Sequence, residues 1–333
     1  MCDVLTFGEA MIRLSPPDHQ RLEQAATLEV AVGGAELSVA AGVARLGLTS
    51  AWVSRLPANP LGRMIANKGR EFGVDVSHVL WAEGLDQRAG LYFVEHGAAP
   101  RPTRVIYDRR DSALARIQPG MLDWGSLLRE TRLFHVGGIT PALSTSAAET
   151  QKEALRAARA AGCLVSYDLN YRALLWTLDE ARAAQLPLME YVDILVTSLP
   201  DQPNVTELIS GLSGVDPAEA ARKLAERFGF RAVLVTLRGT PSVWRTAWSS
   251  LAFAEGQVFT DRTYEIEAVD RIGGGDACVA GFVTGYLEGD AARGVRLGNA
   301  LSALKQTSPT DWPWPTRAEA EALIAEGETR LAR

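Results

Sequence analysis

The sequence predicts a three-layer α/β fold in which helices cover a mostly parallel central sheet, with a small β lid beside it. Two observations predict this. Apolar β-type runs alternate with amphipathic helical stretches along most of the chain, which is typical of a parallel sheet covered on both faces. By contrast, the β-type runs within about 12–32 and 89–109 do not fit that alternation, and the latter pair of runs is joined by a hairpin-like turn. We expect a single domain over residues 1–333, with these segments forming the lid.

Glycine and proline mark the ends of the predicted elements. Gly47 and Gly73 each follow a helical stretch, as a helix-ending glycine does, and Pro16 breaks the second strand. The predicted strands cover residues 3–7, 11–14, 28–32, 51–56, 90–95, 103–108, 133–136, 164–168, 194–197 and 232–236. The predicted helices cover residues 35–46, 62–72, 146–161, 217–228, 279–287 and 316–330.

Composition excludes several classes of protein. A net charge of −6 argues against a nucleic-acid or membrane-surface partner. No apolar run approaches the ~18 residues that a membrane helix needs, and the first residues do not resemble a signal peptide. Three widely spaced cysteines without a CxxC pair indicate reduced thiols. We therefore expect a cytoplasmic protein, and the four scattered histidines predict no zinc site built by the protein.

The strongest local signal is the triplet Gly273, Gly274 and Gly275 followed by Asp276. A glycine run that opens a helix presents free backbone N–H groups at the positive end of the helix dipole, which suits phosphate oxygens. An acid in that first turn can accept a proton from a hydroxyl that attacks phosphorus. The alternative is a turn in which the glycines only redirect the chain and Asp276 caps the helix.

Polar residues also follow three predicted strands, where ligands bind in open α/β sheets. Gly33 and Gly34 precede a helix and could admit a polyhydroxylated substrate, or only relieve close packing. The segment 168–172 brings Asp, Asn and Arg to a strand end, where the guanidinium suits a carboxylate or phosphate; a solvated loop is the alternative. The segment 236–240 could contact a nucleotide. The Walker pattern and an early GxGxxG are both absent, which disfavours a P-loop protein and a dehydrogenase.

Taken together, these motifs resemble the ribokinase/PfkB family of carbohydrate kinases along nearly the whole chain. The N-terminal signature of that family is similar to residues 33–47, and its DxxGAGD signature is similar to residues 270–276. Within the family, the segments 33–36, 138–144, 168–172 and 303–307 look most like those of 2-keto-3-deoxygluconate kinases.

The resemblance implies a ribokinase-like fold, ATP and Mg²⁺ as cofactors, and a set of site residues. Asp276 would be the catalytic base, beside an anion hole formed by the N–H groups of the three glycines. The substrate would be bound by Gly33, Gly34, Ser38, Tyr92, Tyr107, Arg109, Asn170 and Arg172. ATP would be bound by Ser198, Leu237, Arg238, Gly239, Gly273, Gly275 and Asn299. Mg²⁺ would arrive with ATP, held largely by phosphates and water.

The chain departs from the family pattern at several of these positions. Ser38 stands where relatives usually have Asn, and Ser198 and Asp201 replace both polar residues of a segment associated with Mg²⁺ and phosphate. Pro241 lies where a second glycine is usual. These changes concern ATP and Mg²⁺ more than the fold.

We therefore expect phosphorylation of a sugar acid, 2-keto-3-deoxygluconate to its 6-phosphate, because an acidic substrate needs a fixed cation such as Arg172. Two alternatives stay open: a kinase for a neutral sugar or nucleoside, and a degenerate member that binds without turnover. The resemblance also suggests a homodimer formed through the lid.

Overall fold

The structure is a computed structural model that describes residues 2–199, 211, 214–242 and 244–326. The strands are β1 (Cys2–Phe7), β2 (Met11–Ser15), β3 (Glu29–Gly33), β4 (Ser50–Val53), β5 (Arg55–Pro57), β6 (Leu80–Ala82), β7 (Gly90–Glu95), β8 (Arg104–Asp108), β9 (Thr131–Gly137), β10 (Leu164–Asp168), β11 (Ile194–Leu199), β12 (Ala232–Ser242), β13 (Arg245–Ala254), β14 (Gln257–Thr260) and β15 (Tyr264–Glu267). The α-helices are α1 (Ala35–Arg45), α2 (Pro60–Glu71), α3 (Trp124–Leu128), α4 (Thr140–Leu143), α5 (Thr145–Ala161), α6 (Leu178–Gln185), α7 (Pro217–Phe228), α8 (Gly274–Leu287), α9 (Ala291–Gln306) and α10 (Arg317–Glu326). Short 3₁₀ helices cover Leu22–Gln24, Leu114–Arg116 and Leu186–Tyr191.

The main sheet has the strand order β14-β13-β12-β11-β10-β9-β1-β4, with β15 also paired to β13. In this sheet the neighbouring strands β4, β1, β9, β10, β11 and β12 are parallel to one another. Strand β13 pairs antiparallel with β12, and β14 and β15 each pair antiparallel with β13. The carboxyl ends of the parallel strands therefore lie along one edge, where Asp168 is in register with Gly137 and Val196. That edge carries the site described below.

Helices pack on both faces of this sheet around two buried apolar clusters. One face is covered by α3, α5, α6 and α7, and the other by α1, α8 and α9. The contact between α8 and α9 is unusually close, because glycines face each other across it. A Cβ added to Gly281 would lie 2.5 Å from Cα of Gly298, and one added to Gly285 would lie 2.4 Å from Cα of Gly294. This packing fixes the helix that begins at the glycine triplet.

A separate four-stranded sheet has the order β3-β2-β7-β8. Its register places Ala31, Arg13, Tyr92 and Tyr107 in one row across the strands. The next row is formed by Val30, Leu14, Phe93 and Ile106. Since successive residues of a strand point to opposite faces, the two rows lie on opposite sides of this sheet. The first row faces the main sheet.

The predicted fold class is confirmed, and the lid segments form the predicted small sheet. Three predictions of local structure were wrong. The strand predicted over 51–56 is divided into β4 and β5, and β5 pairs with β6 instead of the main sheet. The strand predicted to end at residue 236 continues as β12 to Ser242, because it pairs with β13. The antiparallel strands after it and helix α9 were missed, since their small and buried residues lack a clear amphipathic pattern.

The last helix ends at Glu326 in the described chain, and its predicted continuation to residue 330 lies outside the described residues. None of the helices within the described ranges is both long and apolar enough to cross a membrane.

Candidate active site

A cavity of 390 Å³ lies between the carboxyl edge of the main sheet, the small sheet and the turn that opens α8. It brings together most of the predicted site residues. Those that line it are Gly33, Gly34, Tyr92, Tyr107, Arg109, Asn170, Arg172, Ser198, Arg238, Gly273, Gly275 and Asp276. The sugar-side and nucleotide-side predictions thus converge on one cavity.

Five predicted residues are not among those that line the cavity. Ser38 is fully buried within α1. Gly274 is buried against Gln306, and its N–H donates to the Arg271 carbonyl at 3.2 Å. Leu237 and Gly239 lie on β12, where they pair with Ser249 and Ala247. Asn299 is fully buried in α9, and its Nδ2 donates to Oδ2 of Asp261 at 3.2 Å.

The glycine turn forms the start of α8. Gly273 is the N-cap with φ +85°, a conformation that favours glycine. A Cβ there would lie 2.0 Å from the carbonyl oxygen of Asp311, so any side chain would displace the turn. The N–H groups of Gly275 and Asp276 belong to the first turn of α8, where helical N–H groups have no acceptor four residues back. The turn can therefore donate hydrogen bonds to an anion in the cavity.

Asp276 occupies that first turn with a half-buried carboxyl group. Desolvation, followed by the nearby charge of Asp168, raises the pKa of Asp276 to about 7. Desolvation also raises the pKa of Asp168 to about 6, although Arg172 opposes this shift. A base whose pKa lies near neutral pH suits proton transfer under those conditions. The geometry therefore supports Asp276 as a proton acceptor, with Asp168 tuning it.

Glu36 is a third acid behind this pair. It lies in the first turn of α1 and is 1% exposed. Burial is the main cause that raises the pKa of Glu36 to about 8, and the charges of Asp276 and Asp168 contribute. Its carboxyl group fills the space above Gly8 and Gly137, where a Cβ would lie 2.1 Å and 2.8 Å from its oxygens. Glycine at both strand ends thus makes room for this acid.

The two arginines predicted to bind a sugar acid differ in their surroundings. Nε of Arg109 donates to Oε2 of Glu9 at 2.7 Å, and its Nη2 contacts the same oxygen. Both side chains are buried, and Ser112 donates to the other carboxylate oxygen of Glu9. Arg172 instead donates to the Tyr171 carbonyl at 3.1 Å and, among the described residues, forms no ion pair. Arg172 is therefore the better placed cation for a substrate carboxylate.

Asn170, two residues before Arg172 in the cavity lining, has an unusual backbone conformation. Its φ is +37°, in the left-handed region that asparagine tolerates better than most residues. Its N–H donates to Oδ1 of Asp168 at 3.0 Å, which closes a tight turn directly after β10. The turn directs the following residues across the end of the sheet.

Tyr92 and Tyr107 form one wall of the cavity on the small sheet. Their rings stack with centroids 6.1 Å apart, and the Arg109 guanidinium lies 5.6 Å from the Tyr107 ring. The Tyr92 hydroxyl donates to Oδ2 of Asp311 at 2.7 Å. A Cβ at Gly33 would lie 2.0 Å from that hydroxyl, so glycine is required there for the wall to close.

The opposite end of the cavity is formed by β11, β12 and the turn. Ser198 is in register with Thr236, and both line the cavity with Arg238. The Arg238 guanidinium lies 5.3 Å from the Trp248 ring. Arg271 contacts the Ser242 carbonyl and donates to the Arg245 carbonyl at 3.2 Å. Two guanidinium groups at one end of a cavity suit the phosphates of a nucleotide. Asp201, a further predicted departure from the family, lies outside the described residues.

Sequence reasoning missed several residues that shape this cavity. Glu9, Arg271 and Asp311 line it, and Glu36 lies behind it. Asp168 was noted only as part of a strand-end segment. For Arg271 the signal was available, because it lies within the glycine-rich signature. No local sequence pattern marks Glu9 or Asp311 as site residues, because their partners are distant in the sequence.

Comparison with known proteins agrees with the fold. The pfkB family of carbohydrate kinases matches residues 1–316 of the chain. The chain therefore belongs to this family and is a carbohydrate kinase, a phosphotransferase with an alcohol group as acceptor.

Its relatives include kinases of keto-deoxy sugar acids. The chain is 39% identical over 332 residues to 2-dehydro-3-deoxygalactonokinase of Haloferax volcanii, covering 99% of each chain. It is 33% identical to 2-dehydro-3-deoxygluconokinase of Thermoproteus tenax, covering 97% of this chain and 94% of that one. The crystal structure of 2-dehydro-3-deoxygluconokinase from Thermotoga maritima is similar with a TM-score of 0.92 and 39% identity, covering 97% and 98% of the two chains.

Proposed function

We propose that the protein transfers the γ-phosphoryl group of ATP to the terminal hydroxyl of a 2-keto-3-deoxy sugar acid, with 2-keto-3-deoxygluconate as the preferred substrate. The observation that carries this proposal is Arg172, a cation that lines the cavity without a carboxylate partner among the described residues. A bound carboxylate would complete the bidentate pair that guanidinium groups favour. The relatives named as keto-deoxy sugar acid kinases support it.

The proposed reaction uses groups at both ends of the cavity. Asp276 accepts the proton of the substrate hydroxyl while its oxygen forms a bond to the γ-phosphorus. The bond from that phosphorus to the β,γ-bridging oxygen breaks, and ADP leaves with the electron pair. The N–H groups of the glycine turn stabilise the negative charge on the transferred phosphoryl group. Tyr92 and Tyr107 cover the sugar acid and limit the access of water.

ATP would lie along Ser198, Thr236, Arg238 and Arg271, with its γ-phosphate at the glycine turn. Mg²⁺ enters in this proposal as part of Mg·ATP. Within the described residues, no group of three His, Cys, Asp or Glu side chains could hold a metal ion. Mg²⁺ prefers oxygen ligands and often keeps several waters, so an ion bound mainly by phosphate oxygens and water needs no such group of side chains. It would neutralise charge on the phosphates during transfer.

The test is ADP release by the purified protein with Mg·ATP and a panel of acceptors: 2-keto-3-deoxygluconate, 2-keto-3-deoxygalactonate, fructose, ribose and adenosine. Turnover confined to the two keto-deoxy acids, faster with the gluconate compound, is the expected result. Turnover on a neutral acceptor would keep Asp276 in its role but remove Arg172 as a carboxylate ligand. ATP binding without turnover on any acceptor would favour a degenerate binding protein.

We also propose a homodimer formed through the outer face of the small sheet. Val30 and Ile106, at the two ends of the apolar row, are 57% and 44% exposed. An exposed apolar sheet face of this kind is usually covered in solution. The double substitution V30K/I106K should convert the dimer to a monomer in light scattering coupled to size-exclusion chromatography. Leu85→Lys, at a fully exposed apolar residue elsewhere, is the matched control and should leave the mass unchanged.

The proposed location is the cytoplasm, in keeping with the three free cysteines Cys2, Cys163 and Cys278. Fractionation of cells with an antibody to the protein tests this.

A further inference from the structure

A cluster of four buried charges lies beside the cavity, between its sugar side and its phosphate side, and one member, Asp311, also lines the cavity. It consists of Arg13, Asp270, Lys305 and Asp311, which are 2%, 4%, 0% and 6% exposed. Arg13 is its centre, because it forms ion pairs of 2.6 Å with both acids through separate nitrogen atoms. We call this set the buried charge cluster.

One branch of the cluster reaches the sugar side. Nη1 of Arg13 binds Oδ1 of Asp311, and the other oxygen of that carboxylate accepts the Tyr92 hydroxyl at 2.7 Å. Arg13 and Tyr92 are also direct neighbours on adjacent strands of the small sheet. Oδ2 of Asp311 lies close to Gly33, where it would be 2.5 Å from an added Cβ. This branch therefore fixes the Tyr92 ring and the backbone at Gly33.

The other branch reaches the phosphate side. Nη2 of Arg13 forms an ion pair of 2.6 Å with Oδ2 of Asp270 and lies 3.0 Å from Nε2 of His96. Oδ1 of Asp270 accepts the N–H of Ile272 at 3.0 Å. Nζ of Lys305 donates to the backbone carbonyl of Asp270 at 2.8 Å. Because the C=O and N–H of a trans peptide point in opposite directions, that bond also fixes the direction of the Arg271 N–H. Asp270 is thereby held at both its carboxylate and its carbonyl, immediately before the glycine turn.

Besides Arg13, Asp311 also connects the two branches. Its carbonyl oxygen packs against Gly273, while its carboxylate binds Tyr92 and Arg13. A displacement of Arg13 would therefore move the tyrosine wall and the glycine turn together. Arg13 itself is not among the residues that line the cavity.

We infer that Arg13 is a positioning residue that holds the sugar wall and the glycine turn at a fixed separation, so that the acceptor hydroxyl and the γ-phosphate meet in line. Lys305 stabilises the same turn through its hydrogen bond to the Asp270 carbonyl. The inference deepens the proposed function and relies on its assignment of the two ends of the cavity. Misplacement of reacting groups by about 1 Å can cost on the order of 100-fold in rate.

The experiment is a pair of double-mutant cycles in the full-length protein. Arg13→Met should lower kcat about 100-fold and raise KM for the sugar substrate as well. Tyr92→Phe should mainly raise that KM, and Asp270→Asn should mainly lower kcat. In each double variant with Arg13→Met, the combined loss should be much smaller than the product of the two single losses, because each partner acts through Arg13. Arg132→Met is the control. Arg132 lies at the amino end of β9, away from the carboxyl edge that carries the cavity, and pairs with Asp3. The kinetics of this variant should therefore stay unchanged.

Losses that multiply independently in both cycles would overturn the inference, as would normal kinetics of Arg13→Met. If Arg13→Met does not fold, judged by circular dichroism, the cycles are repeated with Arg13→Lys. Its single ammonium keeps the charge but cannot occupy both nitrogen positions, so it should show the same coupling with smaller losses. All rates are compared with the wild type on the acceptor that the wild type phosphorylates. A wrong substrate assignment therefore shows in the wild type, and a wrong role for Arg13 only in the variants.

Discussion

Arg109 and Glu9 form a buried ion pair inside the substrate cavity, with Nε of the arginine 2.7 Å from Oε2 of the acid. The pair neutralises one of the two guanidinium groups on the sugar side. Arg172, which also lines the cavity, forms no ion pair among the described residues and donates to the Tyr171 carbonyl. Two arginines that look equivalent in the sequence thus have different partners, and Arg172 is the one expected to select the substrate.

Arg172→Ala should reduce discrimination in favour of a sugar acid over a neutral sugar. Removing the partner of a buried carboxylate costs about 2–5 kcal/mol, so the ratio of kcat/KM values for 2-keto-3-deoxygluconate and fructose should fall accordingly. Arg172→Lys is the matched control, because it keeps the charge but loses the two parallel hydrogen bonds. It should retain part of the preference. An unchanged ratio in the alanine variant would remove Arg172 from substrate selection.

Asp276→Asn should lower kcat by roughly 10²–10⁴, since an amide cannot accept the hydroxyl proton. KM for the sugar should change much less, because the side chain acts on the hydroxyl and not on the carboxylate. Steady-state kinetics at saturating Mg·ATP measure both constants. Turnover close to that of the wild type would show that another group takes the proton.

The pH dependence of the wild type should report the same group. The pKa of Asp276 is raised to about 7, and only the deprotonated form is a base. Activity should therefore fall as the pH decreases below about 7 and reach a plateau above it. Asp168→Asn should move the midpoint to lower pH, because the charge of Asp168 is the second cause of the raised pKa. A midpoint that does not move in this variant would contradict the coupling of the two acids.

The raised pKa also predicts a cost in stability. Because its pKa is raised from the ordinary value of 3.8 to about 7, Asp276 binds more protons in the folded than in the unfolded protein between pH 4 and pH 7. Its contribution to the free energy of unfolding therefore decreases as the pH rises through that window. Asp276→Asn removes this contribution, so its Tm should exceed that of the wild type at pH 8 by more than at pH 5. Parallel melting curves of the two proteins at both pH values test this; equal differences would count against it.

Gly33→Ala should weaken substrate binding by pushing on the tyrosine wall. Its Cβ would lie 2.0 Å from the Tyr92 hydroxyl, so the ring must move and KM for the sugar should rise. Adding Tyr92→Phe removes the closer of the two clashing oxygens, the other being Oδ2 of Asp311 at 2.5 Å, and should recover part of the loss. Gly34→Ala is the comparison: its Cβ would lie 2.6 Å from the backbone oxygen of Glu9, which Tyr92→Phe cannot relieve. Recovery in both alanine variants, or in neither, would contradict this explanation.

The sequence predicts those parts of the site whose residues are adjacent in the chain. The glycine triplet with Asp276, the pair Gly33 and Gly34, and the strand end that carries Arg172 are all local patterns, and each contributes residues to the lining of the cavity. Arg13 shows why other parts could not be predicted. It alternates with apolar neighbours on β2 as an exposed side chain would, yet it is buried because two acids more than 250 positions away cover it.

The same limit applies to the pair of Glu9 and Arg109, which are separated by 100 positions. It also applies to Asn299, which the family resemblance places among the ATP ligands: its Nδ2 donates to Oδ2 of Asp261, 38 positions away in the sequence. Strand and helix positions follow from local periodicity, whereas the partner of a buried charge depends on the topology. The missed antiparallel strands β13 to β15 illustrate this for the fold, because pairing with β12 defines them more than their own composition does.

The ion pair between Arg13 and Asp311 joins the second strand of the protein to a loop that follows the penultimate helix, 298 positions later. A ribosome therefore releases the sugar wall long before it releases the residues that hold that wall in place. The nascent chain carries an arginine without its two acids until residues 270 and 311 have been synthesised. If Arg13 has the inferred role, a chain cut before residue 311 should be inactive in phosphoryl transfer even when its main sheet has formed.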